Sequence, residues 1–336
     1  EDYYLGKATE RLFLPLLKTI VHDIEDYDLP QFGAFHNAAC VKIKKAYPLQ
    51  GRRVMHSVWG AGQMAWTKTI FVVDDDCDVH DTFEVLKRAG QYCDPSRDIE
   101  FARGPVDILD HAAPRLGAGL KVGFDCTRKR AGEEVGGVGG VEITGTPRAI
   151  APRDELDAHA AKIVAEVEGI SGGRVLDARV LHETGGYWMV IKVDKKPGDA
   201  NAAGAGVRAL EAALRVPEPV VASRGGGPVY FVAVGPDVDI ADADAALFHW
   251  VANFDASRDI VLDPVELESD NWKNSARGNS APHANPARRM TRRIGFDATP
   301  KVPGDERFGE PVRAWPPVLK MDEGVVAKVA MARGGA

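Results

Sequence analysis

Six residues of this chain occur twice in nearly the same form. Asp94-Pro95-Ser96-Arg97-Asp98-Ile99 returns as Asp255-Ala256-Ser257-Arg258-Asp259-Ile260, at a spacing of 161 residues. Ile70-Phe71-Val72-Val73 matches Phe231-Val232-Ala233-Val234 at the same spacing, and the acid Asp78 matches Asp239. Gly123-Phe124-Asp125-Cys126-Thr127 returns as Gly295-Phe296-Asp297-Ala298-Thr299 at a spacing of 172, so about 11 residues are inserted in the polar segment 271–290. Upstream, Val41-Lys42-Ile43-Lys44-Lys45 resembles Val190-Ile191-Lys192-Val193-Asp194-Lys195-Lys196. Matches in one order, three of them at one spacing, mean a duplicated folding unit, and two copies are too few for a solenoid. A chain of 336 residues is long enough for two cores.

Each unit reads as α/β. Residues 8–21 carry Leu12, Leu14, Leu16, Leu17 and Ile20 at near-helical spacing, with Thr9 as the expected cap. Residues 39–44 alternate like a half-buried strand, and 51–66 read as a helix over Val54, Met55, Val58 and Trp59. The continuous apolar run Thr69 to Val73 predicts a strand covered on both faces. Asp81 is placed to cap a helix through Phe83, Val85, Leu86 and Ala89. From Gly132 to Pro152 the composition turns to glycine and proline, which predicts a linker over 136–152; a new helical pattern begins at Asp154. The expected domains are therefore 1–135 and a diverged second copy over 153–328, each a mixed sheet flanked by helices in three αβα layers.

Composition excludes several classes of function. Net charge is −7 and the densest basic stretch, residues 288–293, is short, so no stripe exists that could neutralise nucleic-acid phosphates. No run approaches 18 uncharged apolar residues, and Glu1-Asp2-Tyr3-Tyr4 is not a signal sequence; the chain does not begin with methionine and reads as starting within a longer protein. Cys40, Cys77, Cys93 and Cys126 are scattered and form no C-x-x-C pair, which predicts reduced thiols and a cytoplasmic setting.

Few residues carry chemistry by pattern. Asp74-Asp75-Asp76-Cys77-Asp78 could offer carboxylates to Mg²⁺, or could cap the next turn and helix; Gly235-Pro236-Asp237-Val238-Asp239 in the second copy could not chelate alike. His22, His36, His56, His80 and His111 show no i, i+4 pair and no H-E-x-x-H, which argues against zinc. There is no dinucleotide fingerprint and no G-x-S-x-G elbow. Lys68, directly before the buried strand, is placed to act as a point charge for a phosphate or simply to stand exposed at the strand start; Gly227 is read at the matching place of the second copy.

The first unit closely resembles the C-terminal domain of UbiD-type decarboxylases, which use prenylated flavin mononucleotide. The residues that carry the likeness are Tyr4-Leu5-Gly6-Lys7-Ala8-Thr9-Glu10-Arg11, Phe35-His36-Asn37 and Val54-Met55-His56-Ser57-Val58-Trp59-Gly60-Ala61-Gly62-Gln63-Met64. Thr67-Lys68-Thr69-Ile70-Phe71-Val72-Val73-Asp74, Gly104-Pro105-Val106-Asp107-Ile108-Leu109-Asp110-His111-Ala112 and Lys121-Val122-Gly123-Phe124-Asp125 continue it. It covers residues 1–135 in detail and 151–325 more weakly, through the repeat. Within the family the stretch looks most like the decarboxylases of the futalosine route to menaquinone.

The resemblance implies two tandem UbiD C-terminal-like domains, in a carboxy-lyase that decarboxylates 1,4-dihydroxy-6-naphthoate or a related aromatic acid. It implies that prenylated FMN, a divalent metal (manganese) and potassium are bound mainly by an N-terminal flavin domain missing from this chain. The catalytic arginine and glutamates would lie there as well, leaving no catalytic residue and no metal ligand here. By the same carry-over, Lys68 reaches the cofactor phosphate, and Leu109 and His111 lie near the substrate pocket. The second copy departs at these points, with residues 266–272 in place of the pocket segment. A homo-oligomer is expected, and the chain by itself is expected to be inactive. Two alternatives stay open: a non-catalytic structural or oligomerisation module, and a decarboxylase of a 4-hydroxybenzoate-type acid in ubiquinone biosynthesis.

Overall fold

The computed structural model describes residues 2–34, 36–133, 147–167, 173–196, 198–199, 201–221, 224–262, 293–316 and 321–334. Helix α1 (Asp2–Ile20) leads into β1 (Ile24–Asp28), β2 (Ala38–Ile43), α2 (Gln50–Trp59), β3 (Thr69–Asp74), α3 (Thr82–Tyr92), β4 (Ile99–Pro105) and β5 (Ala118–Asp125). After residues 134–146, which cover most of the expected linker and lie outside the described residues, come α4 (Arg153–Val167), β6 (Val175–Val180), β7 (Trp188–Val193) and α5 (Ala205–Arg215). A two-stranded ribbon, β8 (Val220–Val221) with β9 (Arg224–Gly225), precedes β10 (Tyr230–Val234), α6 (Ala243–Asn253), β11 (Ile260–Leu262) and β12 (Ile294–Ala298). A last helix, α7 (Glu323–Gly334), closes the chain.

The duplication is visible strand by strand. The first sheet runs β1-β2-β3-β5-β4 and the second β6-β7-β10-β12-β11, each with three parallel central strands and antiparallel edges. Register repeats as well: Phe71 pairs with Phe124 in one copy, and its counterpart Val232 pairs with Phe296 in the other. Even the irregularity in the first edge strand recurs, between Ile24 and Asp26 and between Val175 and Asp177. The chain is thus two tandem units of one α/β fold.

A buried ionic network explains why the repeated motifs are repeated. In the first copy Lys45 sits 2.7 Å from Glu133 and donates to Thr127, while Asp125 accepts from the Thr127 backbone and lies 3.3 Å from Lys129. In the second, Lys195 sits 2.6 Å from Asp305 and donates to Thr299, while Asp297 accepts from the Thr299 backbone and lies 3.2 Å from Lys301. Burial alone would raise the Asp297 carboxyl, but Lys301 and Lys195 hold it at about 2. Each aspartate lies against the first turn of a helix, where the dipole favours a carboxylate. A β-carbon on Gly51 would stand 2.7 Å from Asp125, and one on Gly206 would stand 2.1 Å from Asp297, so glycine is needed at that place in both copies. These motifs hold the scaffold.

Packing joins the two units into one body. The outer face of the first sheet, with Val41, Ile43, Ile70 and Val72, lies under α1 and α2. The outer face of the second, with Met189, Ile191, Phe231 and Ala233, lies under α4 and α5. The inner faces share a single core with α3 and α6. The arrangement is reciprocal, since α3 packs on the 3₁₀ turn His182–Thr184 of the second copy and α6 on the corresponding turn Gln31–Gly33 of the first. Counterparts Phe124 and Phe296 meet at 6.3 Å, as residues on a two-fold axis must. Trp188 donates to the Leu86 carbonyl at 2.9 Å and Tyr230 to that of Cys93 at 3.1 Å, so the polar edges of these two core aromatics are satisfied across the seam.

Several local expectations change. Helix α1 starts six residues earlier than its apolar pattern indicates, and Thr9 is no cap: its hydroxyl donates to the Leu5 carbonyl inside the helix. Strand β2 is buried on nearly every residue rather than alternately, because helices or the second copy cover both faces. The helix expected over 51–66 ends at Trp59, and a 3₁₀ turn follows over Gly62–Trp66. Asp81 does cap α3, accepting from the amides of Phe83 at 2.9 Å and Glu84 at 3.1 Å. All four cysteines are buried and unpaired. The position matching Lys68 is Val229 and not Gly227: Lys68 accepts from the Val122 amide as Val229 accepts from that of Ile294.

Lys121 on β5 is a local cost. It is 2% exposed, lies 5.9 Å from the Trp59 ring and donates to the Ala65 carbonyl, with no carboxylate partner among the described residues. Burial pushes its ammonium down to about 8. Between pH 8 and the ordinary lysine value the unfolded chain binds the extra proton, so stability rises with pH across that window and the full penalty remains below it. Lys121→Met is expected to stabilise the chain by roughly 1–3 kcal/mol at pH 7. The gain should shrink towards pH 10.5 in denaturant titrations; an equal gain at both pH values would contradict this reading.

Candidate functional site

Lys68 meets the loop over residues 106–117, between β4 and β5, and His111 lies within it. The loop closes on itself through the Val106 amide and the Gly117 carbonyl at 3.1 Å, and Asp107 and Asp110 accept from the amides of Leu109 and Ala112. The edge strand β4 ends at Pro105, which has no amide of its own to donate.

The second copy holds this loop from behind. Lys68 is wholly buried; its ammonium lies 3.0 Å from the Asp110 carboxylate and donates to the Phe254 carbonyl at 2.9 Å. The His111 ring lies 3.0 Å from the Asn253 side-chain oxygen and 4.6 Å from the Trp315 ring, edge to face. Burial, outweighing the Asn253 bond and the nearby Asp110 charge, lowers the His111 pKa, so the ring is neutral near pH 7. Arg258 donates to the Ala112 carbonyl at 2.9 Å and Arg313 to that of Asp110 at 3.1 Å. Glu310 takes Arg115 at 2.5 Å and Arg103 at 2.8 Å. Against this fixed back, Ile108 is 71% exposed and Leu109 69% exposed.

Sequence reasoning placed Lys68 at the cofactor phosphate and Leu109 and His111 near the substrate pocket; Lys68 and His111 lie together around Asp110. Leu109 stands apart from them, on the outward side of the same loop. The partners Asp110, Asn253, Arg258, Glu310, Arg313 and Trp315 were not foreseen. Arg258 carried a signal, as the repeat of Arg97, but a repeat gives no sign of contact between copies. The segment read as the second copy's counterpart of the pocket, residues 266–272, lies outside the described residues, as does the basic stretch 288–293 apart from the buried Arg293.

The His111 ring of the loop is engaged by Asn253 and Trp315. The Lys68 ammonium is enclosed between Asp110 and the Phe254 carbonyl in this arrangement. Glu10, Asp28 and His80 lie close enough together to hold a metal ion, but the Lys7 ammonium already stands 2.9 Å from Glu10 and 2.6 Å from Asp28 and supplies the positive charge there. The acids after β3 are engaged too: Asp74 and Asp76 pair with Arg128, and Asp78 accepts from the His80 amide. What the loop presents outward is an apolar surface, Ile108 and Leu109.

Comparison with known proteins agrees with this architecture. The model of the UbiD C-terminal domain family, 3-octaprenyl-4-hydroxybenzoate carboxy-lyase C-terminal domain, matches residues 3–126 and again 158–298. The chain belongs to that family, and it carries the domain twice. An uncharacterised protein of Archaeoglobus fulgidus is 48% identical over 130 residues, 38% of this chain and 27% of that protein. One of Aquifex aeolicus is 46% identical over 129 residues, 38% of this chain and 26% of that protein. The matched part spans about a quarter of these relatives. Among solved structures, the UbiD-class enzyme HmfF from Pelotomaculum thermopropionicum in complex with FMN aligns at TM-score 0.34 and 22% identity, over 40% of this chain and 31% of its own. Vanillic acid decarboxylase from Sedimentibacter hydroxybenzoicus aligns at TM-score 0.34 and 16% identity, over 44% of this chain and 30% of its own. Among the described residues no helix is long and apolar enough to cross a membrane.

Proposed function

We propose that this chain is the C-terminal part of a carboxy-lyase that decarboxylates an aromatic acid with prenylated FMN, the acid being 1,4-dihydroxy-6-naphthoate or a relative in menaquinone biosynthesis. The observation that carries the reading is the loop over residues 106–117, braced at its back by the second copy while Ile108 and Leu109 face outward. Membership of the carboxy-lyase C-terminal domain family supplies the reaction class. The flavin, with manganese and potassium, and the residues that move protons belong to polypeptide outside this chain, joined to a first domain over 1–135 and a second over 153–328. When bound there, the flavin is the electron sink for loss of CO₂. Ile108 and Leu109 form a wall that orients the ring and excludes water. Lys68 sets the loop through Asp110; a phosphate contact would require its ammonium to leave both present partners.

The chain expressed with its upstream coding sequence and loaded with prenylated FMN is expected to release CO₂ from 1,4-dihydroxy-6-naphthoate, and the chain alone to release none. Leu109→Asp should lower kcat/KM at least tenfold with an unchanged Tm, because the side chain is exposed. An unaltered kcat/KM would remove the loop from the site, and turnover of 4-hydroxybenzoate instead would favour the ubiquinone-type alternative. One observation supports an interface role alongside catalysis: Leu5, Leu12, Leu16 and Ile20 leave a side of α1 uncovered, each more than half exposed. In the assembled protein that side packs on the flavin domain or on another copy.

A further inference from the structure

We propose that a cleft at the seam between the two copies, bordering the loop over residues 106–117 at Glu310, binds a planar amphipathic anion. The cleft has a volume of about 600 Å³, within the range of small-molecule sites. Its floor is apolar: Phe101 and Leu120 come from the first sheet, and Ile260 and Leu262 from the edge strand β11 of the second.

Its charges do not cancel. Three guanidiniums, Arg103, Arg215 and Arg307, face two carboxylates, Glu211 and Glu310. Glu310 is already taken by Arg103 and by Arg115 outside the cleft. Arg307 donates only to the carbonyls of Arg258 and Ile260, at 3.2 and 3.3 Å, and has no carboxylate partner among the described residues. Arg215, at the end of α5 one turn after Glu211, forms no ion pair within 4 Å among the described residues. Two cationic forks beside an apolar floor are suited to a ligand with one acidic group and a flat apolar body.

Phe308 supplies an independent indication. It sits at the cleft mouth in the left-handed region, φ 54°, followed by Gly309 at φ 78°, in a tight turn closed by the Glu310 amide and the Arg307 carbonyl. Asparagine or glycine is favoured in such a turn, and a bulky side chain there is strained. The strain gains no burial, because Phe308 is 78% exposed. The ring does lie under the Arg307 guanidinium, 4.7 Å from its centre, which sets an aromatic wall and a cation side by side. A strained, exposed aromatic persists where ligand binding uses it.

The test is a fluorescence titration of the whole chain with 1-anilinonaphthalene-8-sulfonate, with the uncharged N-phenyl-1-naphthylamine beside it. One saturable site for the anionic dye is expected, weakened at least tenfold by Arg215→Ala/Arg307→Ala, with the neutral dye changed much less. Phe308→Asn should raise Tm, by relieving the turn, and weaken the anionic dye at least fivefold. Absence of saturable binding would overturn the proposal. So would anionic-dye binding unaffected by the double variant, which would put the dye elsewhere, such as on the exposed side of α1, or an equal loss for both dyes.

Discussion

Lys68→Met is expected to destabilise the chain by about 3–5 kcal/mol, because it leaves the fully buried Asp110 carboxylate without its cation. The Phe254 carbonyl also loses a donor, and Arg313 is bonded only to the Asp110 backbone, so nothing nearby replaces the ammonium. Asp110→Leu should cost a similar amount from the other side, whereas Lys68→Met/Asp110→Leu should recover most of the loss, since an apolar pair of similar volume avoids the desolvation of both charges. A double-mutant cycle by urea denaturation gives the coupling. A single Lys68→Met variant as stable as the parent would mean that Lys68 is solvated and the loop unlocked, which is the arrangement a phosphate contact needs.

Trp250→Ala is the second large effect, on the order of 3–5 kcal/mol. Its ring is fully buried and lies 6.2 Å from Phe71 and 6.4 Å from Phe124 of the first copy, 4.8 Å from Trp188 and 5.2 Å from Phe296 of the second. Loss of that side chain opens a cavity in the core both copies share. Calorimetry should show one cooperative transition in the parent chain and a broader or split one in the variant, as the units come apart. Trp250→Phe should cost less, because the buried indole N–H has no acceptor among the described residues and its removal orphans none of them. Two resolved transitions already present in the parent would mean that the copies fold independently.

Much of the scaffold was legible in the sequence because the chain states it twice. Asp125 and Asp297, with Thr127 and Thr299, Lys129 and Lys301, recur in order because each copy needs the same buried charges at the same helix start. The strand over Thr69 to Val73 and the Asp81 cap were legible from apolar runs and capping chemistry. The face-to-face docking of the copies was not. Trp188, Tyr230 and Trp250 lie in the core that the copies share, and which sheet face meets which is set by long-range packing that no local pattern records. The same reason hid the partners of the loop. Lys68 is exposed by pattern, at a strand start, and is buried only because Phe254 of the other copy closes over it.

Residue-resolved hydrogen exchange of the loop over residues 106–117 decides whether the second copy braces the first. Asn253→Ala/Arg313→Ala removes two contacts on the loop without touching the ionic scaffold of either copy. The amides of Val106, Asp110 and Ala112 should then exchange at least tenfold faster while those of β3 keep their protection. Loop protection identical in parent and double variant would show that the loop holds its own shape and that the second copy has some other purpose.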